Sequence, residues 1–331
     1  MSAVPHLTEE QVAELCDLET VTDWLERAWR DLGAGEAATT LRVRAAAPGL
    51  MGSAMAASWP RHQVVGGKLY LTHPGGFAFL VGLFSPAAGL VATFDGLGLT
   101  AIRTAAASAL AVRHLAPPDA TTAAVFGTGN QSRPHMQALA QELPLRDLRV
   151  WGRDPGKAEE VAAWGRDWGI PARAVADPDG AVSGARVVAT VTSSYTPVFD
   201  VGLGPHRERQ TRATVTSSYT PVFDGSLLDP AALVCAVGST KADRQEVDST
   251  TVQRTGFVVS DSAEGARTEA GDLIHAAAEG VFDWDSLADL ADVIAGTVTP
   301  PQPGSGIVLF ESQGVALQDV VIATLAYQRS L

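Results

Sequence analysis

The order of apolar and polar positions divides this chain into two kinds of text. Thr8-Glu9-Glu10-Gln11 reads as a helix start, with a capping residue and an acidic first turn, and Leu15, Leu18, Val21 and Leu25 keep helical spacing behind it. Strand-like runs follow at 41–46, 52–57, 68–72, 78–84 and 90–94, and an Ala-rich helix is predicted over 100–115. Ala116-Pro117-Pro118 cannot continue that helix and marks a domain boundary. Beyond it the text alternates between strand and helix. Short apolar strands are predicted at 123–126, 148–151, 187–191, 233–237 and 257–260, with helices after the first two. Uniformly apolar strands in such alternation predict a parallel sheet covered on both faces. Residues 307–327 read as strand then helix outside that alternation, and are expected to return to the first domain.

The expected fold is therefore α/β: a Rossmann-type, doubly wound parallel sheet at 118–304, with an α+β domain built from both chain ends, 1–117 plus 305–331. Phe77 to Phe94 carries no charge over 18 residues, but Ser85-Pro86-Ala87-Ala88-Gly89 interrupts it. Proline and glycine between two β-type runs predict a buried hairpin rather than a membrane span.

One pattern is a perfect repeat. Ala-Thr-Val-Thr-Ser-Ser-Tyr-Thr-Pro-Val-Phe-Asp occupies 189–200 and again 213–224, offset by 24 positions, with no repetition in the flanks. A period seen once makes no solenoid. It reads as a local duplication, with one copy expected in the strand-and-loop slot and the other as a surface excursion.

Composition narrows the partners. The 331 residues carry a net charge of −13, and an acidic chain gains nothing from a phosphate backbone, so nucleic acid is excluded as a partner. Two cysteines, Cys16 and Cys235, make no disulfide framework. With no basic and apolar leader at the N-terminus, the expected compartment is the cytoplasm.

Chemistry enters at Gly127-Thr128-Gly129-Asn130-Gln131-Ser132, between a strand and a helix. The first glycine permits a tight turn, the second lets backbone approach a pyrophosphate, and the helix N-terminus faces the negative charge. After the next strand, Arg153 stands where an acid commonly binds the adenosine ribose; this favours NADP(H) over NAD(H). Upstream, Arg42, Lys68 and Arg103 lie in predominantly apolar text and need a partner for their charge, which a small carboxylate substrate would supply. Ser193 and Ser194 end a strand and suit either cofactor contact or loop capping. The seven histidines form no pair at metal-ligand spacing, so no metal is expected.

Together these pieces resemble the ornithine cyclodeaminase/mu-crystallin family. The carriers are GGKLYLTHPG (66–75), LTAIRTAAASALAVRHLA (99–116), AAVFGTGNQSRPHMQAL (123–139), LRVWGRDPGKAE (148–159), ATVTSS, AVGSTKADRQEVD (236–248), DSAEGARTEAGD (261–272) and IVLFESQGVALQDV (307–320). The resemblance implies a homodimer joined through the substrate domain. It places Arg42, Lys68 and Arg103 on the substrate, with Lys68 and Glu269 as the catalytic candidates. It assigns the cofactor to Thr104, Gly127, Thr128, Gly129, Asn130, Gln131, Arg153, Val237 and Gly238, with Thr192 to Ser194, or their duplicates Thr216 to Ser218, beneath the nicotinamide ribose. Thr240 takes the place of an aspartate that handles the substrate's second amino group in true cyclodeaminases, and Phe79 that of a threonine. The expected activity is reduction of a C=N bond in a small α-imino acid by NAD(P)H. The alternatives are an ornithine cyclodeaminase-type lyase, an alanine dehydrogenase-like enzyme, and a non-catalytic NADPH-binding protein.

Overall fold

The computed structural model describes residues 4–73, 76–192, 218 and 220–331. The first domain opens with β1 (His6–Leu7), α1 (Glu9–Leu15) and α2 (Leu18–Gly33). Thr8 and Gln11 cap α1 reciprocally, as the sequence predicts. The predicted single helix is instead two: the chain turns at Cys16, and Asp17 caps α2 by accepting from Thr20 N at 2.8 Å. The apolar spacing carries across because both helices bury one side against the same core.

The strands β2 (Ala38–Thr39), β3 (Val43–Ala47), β4 (Leu50–Trp59), β5 (Val64–His73), β6 (Gly76–Ser85) and β7 (Gly89–Asp95) form a sheet in the order β1-β7-β6-β5-β4-β2, with β3 also on β4. The β6–β7 hairpin turns where predicted, with Gly89 at φ +69°. Among the described residues no helix is long and apolar enough to cross a membrane. One face of the sheet carries Gly66, Lys68 and Tyr70 inward; the other leaves Val43, Leu50, Val65, Leu69, Leu80 and Phe84 exposed. The helix α3 (Leu97–Leu115) follows. Its N-cap, Gly96, has no side chain to offer, and Glu9 of α1 serves instead, accepting from Leu97 N at 2.8 Å and from Gly98 N.

The second domain runs through β8 (Thr122–Phe126), α4 (Ser132–Glu142), β9 (Asp147–Trp151), α5 (Pro155–Asp167), β10 (Ala172–Ala174), α6 (Pro178–Val182), β11 (Val187–Thr190), β12 (Leu233–Ala236), α7 (Ser249–Arg254), β13 (Thr255–Ser260), α8 (Ala263–Glu269), α9 (Gly271–Ala278), β14 (Leu287–Asp289), α10 (Leu290–Ala295) and β15 (Ile307–Glu311), after which the chain ends in α11 (Ala316–Ser330). Its sheet is parallel in the order β10-β9-β8-β11-β12-β15-β13-β14. Strand order reverses between β8 and β11, the place where open α/β sheets bind ligands.

Two expectations change here. Residues 307–311, expected in the first domain, form β15 between β12 and β13, because a fully buried apolar strand finds its partners only inside this sheet. Only α11 returns, packing under β4, β5 and β6. The repeat does not fill its slot with one copy either. The strand comes from the first copy (Thr190 in β11, then Val191 and Thr192), while the loop back to the sheet comes from the second: Ser218 and Phe223 are buried and Val222 N donates to Glu246 O at 2.9 Å.

Candidate active site

The turn after β8 is closed by its own residues. Gly127 adopts φ +130°, and a Cβ there would stand 2.5 Å from Val191 O, so only glycine fits. Ser132, in place of a third glycine, is buried and donates from Oγ to Gly127 O at 2.8 Å. Thr128 packs against Gly152 of the neighbouring turn, where a Cβ would meet Thr128 Cγ2 at 2.5 Å. Gln131 gives α4 no side-chain cap; in the first turn Ser132 N donates to Gly129 O at 3.0 Å and Pro134 has no N–H, which leaves the Arg133 amide for an anion. Gln131 Oε1 itself is buried without a partner among the described residues. Asn130 and Arg153 are exposed at the mouth of the site. This turn fits a dinucleotide pyrophosphate. A cleft of about 1260 Å³ runs from Thr128, Gly129 and Asn130 along α4 and α5 to Leu97 and Gly98, stopping short of Lys68 and Arg103.

Further along the same carboxyl edge, Val237 N donates to Thr190 O at 3.1 Å and brings Thr192, Val237 and Gly238 together. Ser193, Ser194 and Thr216 lie outside the described residues, whereas Ser218 accepts from Gln245 N at 2.8 Å. Thr104 is turned back on α3, donating to Thr100 O at 2.7 Å.

The three upstream cations converge from three elements. Lys68 of β5 sits with its side chain 2% exposed, donating to Asp319 Oδ1 at 3.2 Å and to Thr100 Oγ1. Arg103 of α3 donates to Gln318 Oε1 and lies 3.6 Å from Asp319 Oδ1. Burial pushes the Lys68 ammonium down to about 8; the Asp319 charge opposes this, and Arg103 and Arg42 add to it. Arg42 donates to Glu269, to Gln313 O at 2.8 Å and to Gly314 O at 3.0 Å. Glu269 thus holds Arg42 on one oxygen and Arg44 on the other, and Arg44 also donates to Thr240 O at 3.2 Å. Burial raises the Glu269 pKa, against the pull of both arginines. Gly314 joins the two groups: it adopts φ +81°, and a Cβ there would fall 2.3 Å from Arg103 Nη1. The Nε atoms of Arg42 and Arg103 are buried and make no hydrogen bond among the described residues, that of Arg103 standing 3.6 Å from Asp319 Oδ1.

Over Lys68 the pocket is aromatic. The Phe79 ring centroid is 4.7 Å from its Nζ, with Tyr70 5.3 Å and Phe77 5.5 Å from Phe79. Asp319, Gln318 and Thr100 escaped the sequence reading, although an aspartate inside an apolar helix needs a buried cation and so signals one. Among the described residues no cluster of His, Cys, Asp or Glu suits a metal ion.

A doubly wound sheet with an open phosphate turn, beside a domain of buried cations, defines a two-domain dinucleotide-binding enzyme. The chain belongs to the ornithine cyclodeaminase/mu-crystallin family, which it matches over residues 6–203 and 210–331. It is 30% identical to the ketimine reductase mu-crystallin of Mus musculus over 246 residues, 74% of this chain and 67% of that one. Among solved structures, a probable ornithine cyclodeaminase from Bordetella pertussis Tohama I is 33% identical with TM-score 0.86, covering 99% of this chain and 97% of that one. The Δ1-pyrroline-2-carboxylate reductase of Thermococcus litoralis, in complex with NADH and L-proline, is 25% identical with TM-score 0.87 over 99% and 97%.

Proposed function

We propose that this protein is an NAD(P)H-dependent reductase of the C=N bond in a small α-imino acid, acting as a homodimer in the cytoplasm. The observation that carries the reading is the buried Lys68, its pKa near 8, which shares Asp319 with Arg103. In this reading Arg42 and Arg103 hold the substrate carboxylate and Lys68 faces the neighbouring C=N. When bound, the reduced dinucleotide supplies a hydride to the imine carbon. Lys68 gives its proton to the imine nitrogen, Asp319 keeps the ammonium in place, and Glu269 holds Arg42 in position. The named reductases among the relatives support this chemistry. So does Thr240, a neutral hydroxyl where a second amino group would need an acid.

NADP(H) is favoured over NAD(H) because the carboxylate in the β9–α5 turn is already used. Asp154 caps α5, accepting from Gly156 N at 3.0 Å and Lys157 N at 3.2 Å, and the guanidinium of the exposed Arg153 beside it suits a 2′-phosphate. The homodimer rests on the exposed apolar face of the first sheet.

The test is oxidation of NADPH and of NADH with Δ1-pyrroline-2-carboxylate, Δ1-piperideine-2-carboxylate, and pyruvate plus amines. Turnover with a cyclic imine, faster with NADPH, is expected. The likeness to a probable ornithine cyclodeaminase keeps a second reading open. Ammonia release from L-ornithine without net cofactor reduction, and no imine turnover, would establish it instead.

A further inference from the structure

Glu246 is wholly buried, and nothing above gives it a role. Its Oε2 accepts from Thr190 Oγ1 at 2.8 Å and from Gly238 N at 2.6 Å, and its Oε1 accepts from Thr192 N at 2.8 Å and from Thr192 Oγ1. One side chain therefore fastens the ends of two adjacent parallel strands, since Thr190 and Ala236 pair directly in β11 and β12. Gly238 has to lack a side chain, because a Cβ there would lie 2.2 Å from Glu246 Oε1. The backbone of Glu246 is fixed in turn: its N–H donates to Asp272 Oδ1 at 2.6 Å, and its carbonyl accepts from Val222 N at 2.9 Å.

We propose that Glu246 is the positioning residue that sets the spacing between Thr192 and Gly238, and with it the seat of the nicotinamide ring. This rests on the reading that the chain binds a nicotinamide dinucleotide, whose ring end lies along this carboxyl edge in doubly wound folds. The bond pattern makes the carboxylate specific. Each oxygen receives one backbone N–H, Gly238's on one side and Thr192's on the other. A hydroxyl can turn and accept, but an amide N–H cannot. Glutamine offers one oxygen and one NH₂, so Glu246→Gln sets its NH₂ against one of these N–H groups whichever way it is turned. The strand ends then part by that bond while the phosphate turn at Gly127 is untouched.

The experiment is calorimetric titration of NADPH and of 2′-phospho-ADP-ribose, which lacks the nicotinamide ring, into the wild type, Glu246→Gln and Thr192→Val. Glu246→Gln is expected to weaken NADPH about tenfold or more and to leave 2′-phospho-ADP-ribose within about twofold. Thr192→Val keeps the N–H and loses only the hydroxyl, so it should shift the same ratio less, roughly two- to fivefold, because it removes one bond without setting two donors against each other. Equal weakening of both ligands, or unchanged NADPH affinity in folded Glu246→Gln, overturns the proposal. If Glu246→Gln does not fold, Thr192→Val decides alone, and an unchanged ratio there overturns it. A wild type that binds neither ligand rejects the dinucleotide reading itself, a result distinct from a variant that weakens both alike.

Discussion

The ammonium of Lys68 and the carboxylate of Asp319 meet at 3.2 Å where their side chains are 2% and 0% exposed. Arg103 approaches the same carboxylate at 3.6 Å. One acid thus faces two cations. Deep burial makes each of these charges depend on the others.

The first prediction follows from that dependence. With the Lys68 pKa near 8, kcat/KM for the imino acid should fall as pH rises through about 8 and the ammonium is lost. Asp319→Asn removes the charge that favours the protonated lysine, so the alkaline limb should move to lower pH by about one unit. A pH–rate profile of the two proteins checks this, and an unmoved limb counts against Lys68 as proton donor.

A second prediction concerns Asp272. Burial, with Glu246 nearby, pushes its carboxyl up to about 7. Oδ1 accepts from two backbone N–H groups, and Oδ2 is buried without a partner among the described residues. The folded protein therefore holds a proton that the unfolded chain has lost, and stability from this group declines as pH rises from about 4 through 7. Asparagine keeps the accepting oxygen and carries no charge. Asp272→Asn should gain roughly 2–4 kcal/mol over the wild type at pH 8 and little at pH 4. Thermal unfolding at both pH values measures the difference, and a variant less stable at pH 8 contradicts it.

The third prediction tests the dimer. Leu69 and Leu80 are directly paired across β5 and β6 and are 59% and 46% exposed in a single chain. Leu69→Arg places a charge in the middle of that apolar face. Sedimentation velocity should show a wild-type dimer and a monomeric variant; a monomeric wild type removes the interface.

The fourth uses the composite slot. Deleting Ser193–Thr216 joins Thr192 to Ser217 and restores one uninterrupted copy of the repeat. The anchors on both sides, Thr192 on Glu246 and Ser218 on Gln245, are retained. The shortened protein should melt within a few degrees of the parent and still bind the dinucleotide. Loss of folding would show that the two copies do not share the slot.

Local chemistry was readable where one short segment specifies its own shape. Gly127 through Ser132, the hairpin at 85–89 and the end of α3 before Pro117 needed only turn residues and capping rules. Residues that act at a distance were not readable in that way. Asp319 meets Lys68 across 251 positions, and Glu246 grips Thr192 across 54. Only the family resemblance grouped Arg42, Lys68 and Arg103 with Glu269 beforehand, and it did not reveal that Glu269 is spoken for by two arginines. β15 was misplaced because an isolated apolar strand does not show which sheet it joins. The split at Cys16 was missed because helical spacing survives a turn when both halves bury the same side.

The alternation along β5 has one last consequence. Lys68 and Tyr70 point to the chemistry, while Val65, Leu69 and Leu71 point to the neighbouring subunit of the proposed dimer. Neighbouring side chains on one backbone then answer to two different equilibria, association on one side and turnover on the other. Dilution below the dissociation constant would free the outer side chains and loosen the strand that carries the lysine. Specific activity would then depend on enzyme concentration, and a titration curve of rate against dilution would report subunit affinity without a separate binding assay.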